Sequence, residues 1–279
     1  DLLIPFRFGC TRLILVGDPQ QLSPCVLSDA GKMSNLSQSL HFRLDKIFNS
    51  ISCESKPSIM LRVQYRMLPE IALFPNEYFY NGKLTNGGTH QRYPLKPLFY
   101  FNIETLSHKY DVYKSVYNTT EAKILSQFCR LIILHLSGNN YETWKAIRSD
   151  DEIIIKTQQR IGIITPYNGQ VREIQKQLKT LNIYHTEIGS VDSFQGKEKD
   201  VILISTVRCK NAGFLNIENR LNVMLTRAKY GQYIFGNLTH LKQYNGWKEL
   251  IDSGTQQTLN IDNTMSFDIV KMFRSLFIS

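Results

Sequence analysis

Residues Ile188 to Gly236, IGSVDSFQGKEKDVILISTVRCKNAGFLNIENRLNVMLTRAKYGQYIFG, decide the fold. The first half sets a polar turn, Asp192-Ser193-Phe194-Gln195-Gly196-Lys197-Glu198, ahead of an apolar run from Val201 to Val207. Val, Ile and Leu with almost no charge suit a strand buried on both faces of a parallel sheet. The second half places Leu221, Val223, Met224, Leu225 and Ala228 among Arg220, Asn222, Arg227 and Lys229, which reads as a helix with Arg227 near its end. A second buried strand, Tyr233 to Gly236, follows. Strand, loop, helix and strand make a βαβ unit. Working residues in open α/β sheets gather at the carboxyl ends of strands, so the polar turn and Arg227 are expected to face one crevice there.

Nearer the start, Leu13 to Val16 reads as a short strand ending in the turn Gly17-Asp18-Pro19-Gln20-Gln21, which puts Gln21 at its carboxyl end. Ser37 to Phe48 carries Leu40, Leu44, Ile47 and Phe48 at helical spacing. Ile59 to Val63 reads as a strand running into Gln64-Tyr65-Arg66-Met67, and Pro69 suits the first turn of the next helix. Thr85 to Pro97 reads as a surface loop and Phe99 to Ile103 as a strand. Thr119 or Thr120 would cap a helix whose apolar face is Ile124, Leu125, Phe128, Leu131, Ile132 and Leu134. Ser137 to Gln159 is polar and reads as an irregular insertion. Arg160 to Tyr167 reads as strand then loop, and Val171 to Leu181 as an amphipathic helix. Leu238 to Ile251 and Thr264 to Phe277 read as late helices. Strands alternating with helices indicate a parallel α/β fold.

The chain has 279 residues, 42% of them hydrophobic, with 15 Phe and 14 Tyr, enough for a substantial core. A net charge of +9 favours a polyanionic partner, nucleic acid first. No apolar run approaches the roughly 20 residues that a membrane helix needs. The five cysteines, Cys10, Cys25, Cys53, Cys129 and Cys209, form no CxxC pair and point to neither a disulfide framework nor a zinc site. A reducing compartment, nucleus or cytosol, fits them. The chain opens on Asp1-Leu2-Leu3-Ile4-Pro5 without a methionine, and reads as part of a longer protein.

Five segments carry chemistry. SVDSFQGKEKDVILISTVR resembles motif V, and NRLNVMLTRAKYGQYIFGN motif VI, of the senataxin-like (Upf1-like) branch of the superfamily 1 helicases. LILVGDPQQLSP resembles motif III of that family, and VQYRMLPEIALFPNEYFYNGKL its motif IV, with Leu68 where a His is usual. IGIITPYNGQ resembles the family segment whose Thr-Pro-Tyr loop lies on the nucleic-acid strand. The resemblance spans nearly the whole chain. It implies a RecA-like parallel sheet flanked by helices, of the P-loop NTPase type. The tail of one RecA-like domain would occupy residues 1–56, and a second, complete one residues 57–279.

The resemblance also implies roles. Gln21 would hold the γ-phosphate or the attacking water, since an amide accepts and donates at once. Tyr65 would stack on adenine, and Arg66 would grip the γ-phosphate, for which a guanidinium fork is shaped. Gly196 would let the backbone approach a phosphate, and Glu198 would bond the ribose. Arg227 would be an arginine finger, a residue class worth roughly a thousandfold or more in turnover. Thr165 and Tyr167, flanking Pro166, would offer a phosphate donor and a stacking face to nucleic acid. Asp192 and Ser193 would touch nucleic acid or link domains, and Gln195 would join the ATP site to the strand. Lys210 sits in a loop within reach of phosphate.

No GxxxxGK(S/T) phosphate cradle occurs, and no acidic pair for magnesium. The histidines form no metal pattern. ATP and magnesium are therefore expected to need motifs ahead of Asp1, and the isolated chain is expected neither to bind ATP tightly nor to hydrolyse it. The whole enzyme would be an ATP-dependent helicase moving 5′ to 3′ on single-stranded RNA or DNA and opening duplexes or RNA–DNA hybrids. It would work in the nucleus, with the cytoplasm as alternative, beside transcription-termination or RNA-processing machinery. The competing reading is a RecA-like module that binds nucleic acid or protein without turnover. The intact Gln21, Arg66 and Arg227 argue against it. A fused nuclease lacks a clustered carboxylate site.

Overall fold

The computed structural model describes residues 4–26, 28–51, 57–88, 93–104, 108–139, 150–211, 213–253, 257–261, 269–274 and 276. The chain divides into two compact units, Asp1–Arg62 and Val63–Ser279.

In the first unit, helix α1 (Leu40–Ser50) starts where Ser39 Oγ accepts from the backbone N–H of Phe42 at 3.1 Å, satisfying one of the helix's orphan donors. The Asp18 turn forms as well: the Gln21 N–H donates to the Asp18 carbonyl at 3.1 Å. Leu13–Val16 is a correction to the sequence reading. It is irregular, with Ile14 and Val16 largely exposed. No strand occurs among the described residues of this unit, so the segment has no ladder to join.

In the second unit the expected strand Ile59–Val63 shrinks to Val63–Gln64, paired in parallel with Thr85–Asn86 inside the expected surface loop. Helix α2 (Pro69–Tyr80) begins on Pro69, whose missing N–H costs nothing in a first turn, and ends at Asn81 in the left-handed region. Strand β1 (Leu98–Ile103) follows. A short antiparallel hairpin then pairs Lys109–Tyr110 with Val116–Tyr117. Helix α3 (Thr119–Leu136) is capped by the Asn118 side chain, which accepts from the Glu121 N–H at 3.1 Å, so neither threonine is the cap. The expected insertion contains helix α4 (Glu152–Gln159), where Asp151 Oδ1 accepts from Ile153 N at 2.9 Å and Ile154 N at 3.2 Å. Next come β2 (Ile161–Thr165), α5 (Asn168–Thr180), β3 (Glu187–Ser190), β4 (Lys199–Ser205), α6 (Glu218–Leu225) and β5 (Ala228–Gly236). The expected late helix 238–251 is two pieces, Leu238–Leu241 and α7 (Asn245–Asp252). A strand the sequence did not announce, β6 (Gln257–Ile261), follows, then a helix at Ile269–Arg274. Residues 264–268, 275 and 277 of the last expected helix lie outside the described residues.

The six strands form one parallel sheet in the order β6-β1-β5-β4-β2-β3, the RecA-like α/β arrangement. Its centre is aromatic. Phe101 of β1 stacks on Phe235 of β5 at 4.5 Å between ring centroids, and Phe128 of α3 meets Phe101 edge-on at 4.7 Å. Each such ring contributes about 1.5–3 kcal/mol through burial. Strands buried this deeply read as unbroken apolar runs, which is why β2 and β4 were visible in the sequence. Among the described residues no helix is long and apolar enough to cross a membrane.

Candidate functional site

Register places the first cluster. Lys199, the first residue of β4, lies level with Ala228, the first of β5. Glu198 and Arg227 therefore sit together at the amino ends of these strands, where the Lys199 N–H donates to the Arg227 carbonyl at 3.0 Å. The shared crevice at the carboxyl ends is a correction: the turn and the arginine do meet, but at the opposite edge. They arrive on chain entering strands, not leaving them.

Arg66 joins them from the segment before α2. Its Nε donates to Glu198 Oε2 at 2.6 Å and its Nη1 to the Thr226 carbonyl at 2.9 Å. Arg227 is 1% exposed. Its Nε donates to the Val223 carbonyl at 3.0 Å, its Nη2 to Thr226 Oγ1 at 2.7 Å and its Nη1 to the Lys197 carbonyl at 3.5 Å. Thr226 thus touches both arginines, one through its carbonyl and one through its hydroxyl. Its place between a helix end and Arg227 was the only sign of this in the sequence. Leu68 contributes through its backbone, its N–H donating to the Lys229 carbonyl at 2.9 Å.

The electrostatics follow. Lys229 Nζ lies 2.8 Å from Glu198 Oε1. The Lys229 ammonium, and after it the Arg66 guanidinium, hold the Glu198 carboxyl below the usual carboxylate range. Glu198 in turn raises Lys229. Two cations, Arg66 and Lys229, gather around one carboxylate, and the surplus positive charge suits phosphate oxygens. Beside them Tyr65 is 71% exposed. Its ring lies over Gly87, where an added Cβ would come 2.7 Å from Cε1. Gly196 has φ +79°, and an added Cβ there would meet nothing within 4 Å among the described residues. Glycine is needed for the left-handed backbone, and the space beside it is open. Glu198, expected on a ribose, is engaged here with Arg66 and Lys229.

Gln21 belongs to the first unit, where its Nε2 donates to Asp18 Oδ2 at 2.9 Å. Among the described residues no group of three or more His, Cys, Asp and Glu is placed to hold a metal ion. The donors at the arginine cluster are cationic and do not fit magnesium.

Of the remaining candidates, Thr165, Pro166, Tyr167 and Lys210 lie at or beyond the carboxyl ends of β2 and β4. Thr165 ends β2 fully buried, and its hydroxyl has no hydrogen-bond partner among the described residues. Tyr167 is also buried: Arg208 Nε donates to its hydroxyl at 3.0 Å, the guanidinium lies 5.0 Å over the ring, and Phe214 covers it at 5.8 Å. Neither side chain presents the donor or stacking face expected of it, because β2 is an inner strand and the loop after β4 closes over its end. Pro166 is half-buried. Asp192, Ser193 and Gln195 are exposed. Asp192 pairs with Arg220 at 3.3 Å, and Ser193 Oγ donates to the Ser190 carbonyl at 2.8 Å. Lys210 is exposed in the loop after β4.

Besides Thr226, a second buried residue was missed. Glu121, in the first turn of α3, accepts from Ser205 Oγ at 2.6 Å and from the Val207 N–H at 3.0 and 3.2 Å. Val207 sits at φ +70°, unusual for a β-branched residue. Burial pushes the Glu121 carboxyl up to about 7. The only cue was a glutamate beside Ala122 and Leu125 on the helix's apolar face. Gln170 completes the network: its Oε1 accepts from the Asn118 N–H at 2.7 Å, and its Nε2 donates to Ser205 Oγ at 2.9 Å.

Residues 36–239 match a family model described as an AAA domain, and residues 1–29 match a second model of that description. The chain is similar to Helicase sen1 of Schizosaccharomyces pombe, 34% identical over 275 residues that cover 93% of this chain and 15% of that protein. It is similar to the Probable helicase senataxin of Mus musculus, 34% identical over 273 residues, 92% of this chain and 10% of that one. With the ATP-dependent helicase upf1 of Schizosaccharomyces pombe the identity is 34% over 293 residues, 95% and 28%. The chain thus spans between 10% and 28% of the length of these relatives.

Proposed function

From the premise that this chain belongs to the senataxin- and Upf1-like superfamily 1 helicases, we propose that it supplies the second motor domain of an ATP-driven helicase, with the remnant of the first at residues 1–56. ATP would lie against the amino-edge cluster. Tyr65 would take the adenine, Arg66 and Arg227 the γ-phosphate, and the open side of Gly196 a phosphate oxygen. Gln21, assigned from its motif, would orient the attacking water. Magnesium would be held by acidic residues outside this chain. Closure on the triphosphate would shift the domain 5′ to 3′ along single-stranded RNA or DNA, opening duplexes or RNA–DNA hybrids. Nuclear work in transcription termination is proposed by likeness to the relatives alone.

The observation that carries this reading is the meeting of Arg66 and Arg227 on Thr226. A polyphosphate grip needs guanidiniums close together, and two distant sequence segments provide them. The test is strand displacement and ATP turnover by the gene-encoded protein with Arg227→Ala. Turnover is expected to fall by roughly 10³-fold or more. Wild-type turnover in that variant would remove the finger assignment.

One observation favours the second reading, a binding module without turnover. Nε, Nη1 and Nη2 of Arg227 all have acceptors within the protein. Absence of ATP hydrolysis by the gene-encoded protein, with nucleic acid still bound, would select it.

A further inference from the structure

The hairpin at Lys109–Tyr117 holds three large side chains out in water. Tyr110 is 60% exposed, Val112 90% and Tyr113 76%. This is not a loose loop. Asp111 Oδ1 accepts from the N–H groups of Tyr113 and Ser115, each at 2.9 Å, and the Asp111 N–H donates to the Ser115 carbonyl at 3.0 Å. Arg172 of α5 is paired with Asp111 and lies 5.0 Å over the Tyr113 ring. The turn is anchored below as well. The Gly169 N–H donates to Ser115 Oγ at 2.9 Å, and Val116 packs with Tyr167 and Val207 in a small buried cluster. A turn fixed this firmly holds its aromatic rings in place without further ordering, and exposed apolar groups so arranged mark a contact surface.

The charges around the hairpin select the partner. Lys109 and Lys114 are exposed on it, and Lys210 is exposed on the loop after β4. That loop reaches the hairpin through Cys209, whose Sγ lies 3.4 Å from His108 Nδ1. Asp111, the one carboxylate of the hairpin, is taken up by Arg172 and the turn. Ammonium groups interleaved with exposed aromatic rings fit a chain of alternating phosphates and flat bases. The place fits too: the hairpin follows β1 and sits against the segments leaving β2 and β4, where the strand is expected but Tyr167 is covered.

We propose that this hairpin docks single-stranded nucleic acid, Tyr113 and Tyr110 stacking on bases and Lys109, Lys114 and Lys210 meeting phosphates. The proposal rests on reading the chain as part of a nucleic-acid motor and adds to it a surface that none of its sequence motifs contains. The test is equilibrium binding of fluorescein-labelled oligouridylate and oligothymidylate to the complete 279-residue chain. Tyr113→Ala and Tyr110→Ala are each expected to weaken binding by about tenfold, and Tyr113→Phe to bind as wild type. Lys109→Ala and Lys114→Ala are each expected to lower the salt slope by about 1. A 5-iodouridine oligonucleotide is expected to crosslink within residues 109–117.

Unchanged binding by both tyrosine variants, with crosslinks elsewhere, overturns the proposal. So does Tyr113-dependent binding to anionic lipid vesicles when the oligonucleotides are not bound. The motor reading fails by a different result: oligonucleotide bound through the hairpin, but no ATP hydrolysis or strand displacement by the gene-encoded protein.

Discussion

Arg66 donates to Glu198 at 2.6 Å across a separation of 132 positions. That contact brings the segment before α2 to the turn ahead of β4. Their side chains are 31% and 40% exposed, so the pair is worth only about 0–1 kcal/mol to folding. Arg66→Ala is accordingly expected to unfold at nearly the wild-type urea concentration. ATP turnover by the gene-encoded protein should nonetheless drop by roughly 10²–10³-fold, the usual loss when one preorganised donor to developing charge is removed. A large fall in the urea midpoint with turnover intact would make Arg66 a structural residue.

Glu198 gives the cluster a pH dependence of known sign. Lys229 and Arg66 depress its carboxyl in the folded state. The unfolded chain then takes up the proton first as acid is added. The stabilisation is present above the ordinary glutamate value of about 4.3, and is lost as pH falls through the depressed value. Partial exposure keeps it within about 1 kcal/mol. Thermal melts between pH 6 and pH 3, about this glutamate range, should therefore show a slightly shallower acid loss for Glu198→Gln than for wild type. A steeper loss in the variant would reverse the assignment.

Glu121 has the opposite sign. Burial raises its carboxyl to about 7, against the hydrogen bonds from Ser205, Val207 and Thr206 that favour the charged form. Between the ordinary glutamate value and about 7 the folded state holds the extra proton. Its contribution is therefore greatest in acid and falls as pH rises through that window, by on the order of 3 kcal/mol. Glu121→Gln should flatten this slope in urea melts taken from pH 5 to pH 8, a window around that value. Glu121→Ala should cost about 1–3 kcal/mol even in acid, because the Val207 N–H loses its acceptor. Parallel pH profiles for wild type and Glu121→Gln would show that this carboxyl does not titrate in the window.

The sequence showed some features of this arrangement and hid others for physical reasons. Strands β2 and β4 were legible because a strand covered on both faces needs an apolar residue at nearly every position. The nearness of Glu198 and Arg227 was legible from the βαβ reading, but the edge of the sheet was not. That depends on Lys199 lying level with Ala228, a pairing no local pattern encodes. Helix α4 escaped because its eight residues supply only a short apolar face beside a polar stretch. β6, Gln-Thr-Leu-Asn-Ile, alternates too weakly to stand out. Thr165 and Tyr167 were placed correctly at a strand's end, but burial belongs to the tertiary structure, and Arg208 and Phe214 come from far along the chain to cover the ring.

Gly169 tests whether the hairpin's position matters for binding. An added Cβ there would lie 2.8 Å from the carbonyl oxygens of both Ser115 and Val116. These are backbone atoms of the hairpin, so no side chain can swing aside, and the hairpin or the start of α5 must shift. Gly169→Ala is therefore expected to destabilise the second unit by about 1–3 kcal/mol, the usual range for overpacking. It should also weaken the hydrogen bond from the Gly169 N–H to Ser115 Oγ. Amide hydrogen exchange should then speed up across residues 109–117 before the central strands are affected. Because the exposed rings themselves are untouched, oligonucleotide binding should weaken less than in Tyr113→Ala. If exchange in the hairpin stays at wild-type rates, the Gly169 contact does not hold it in place.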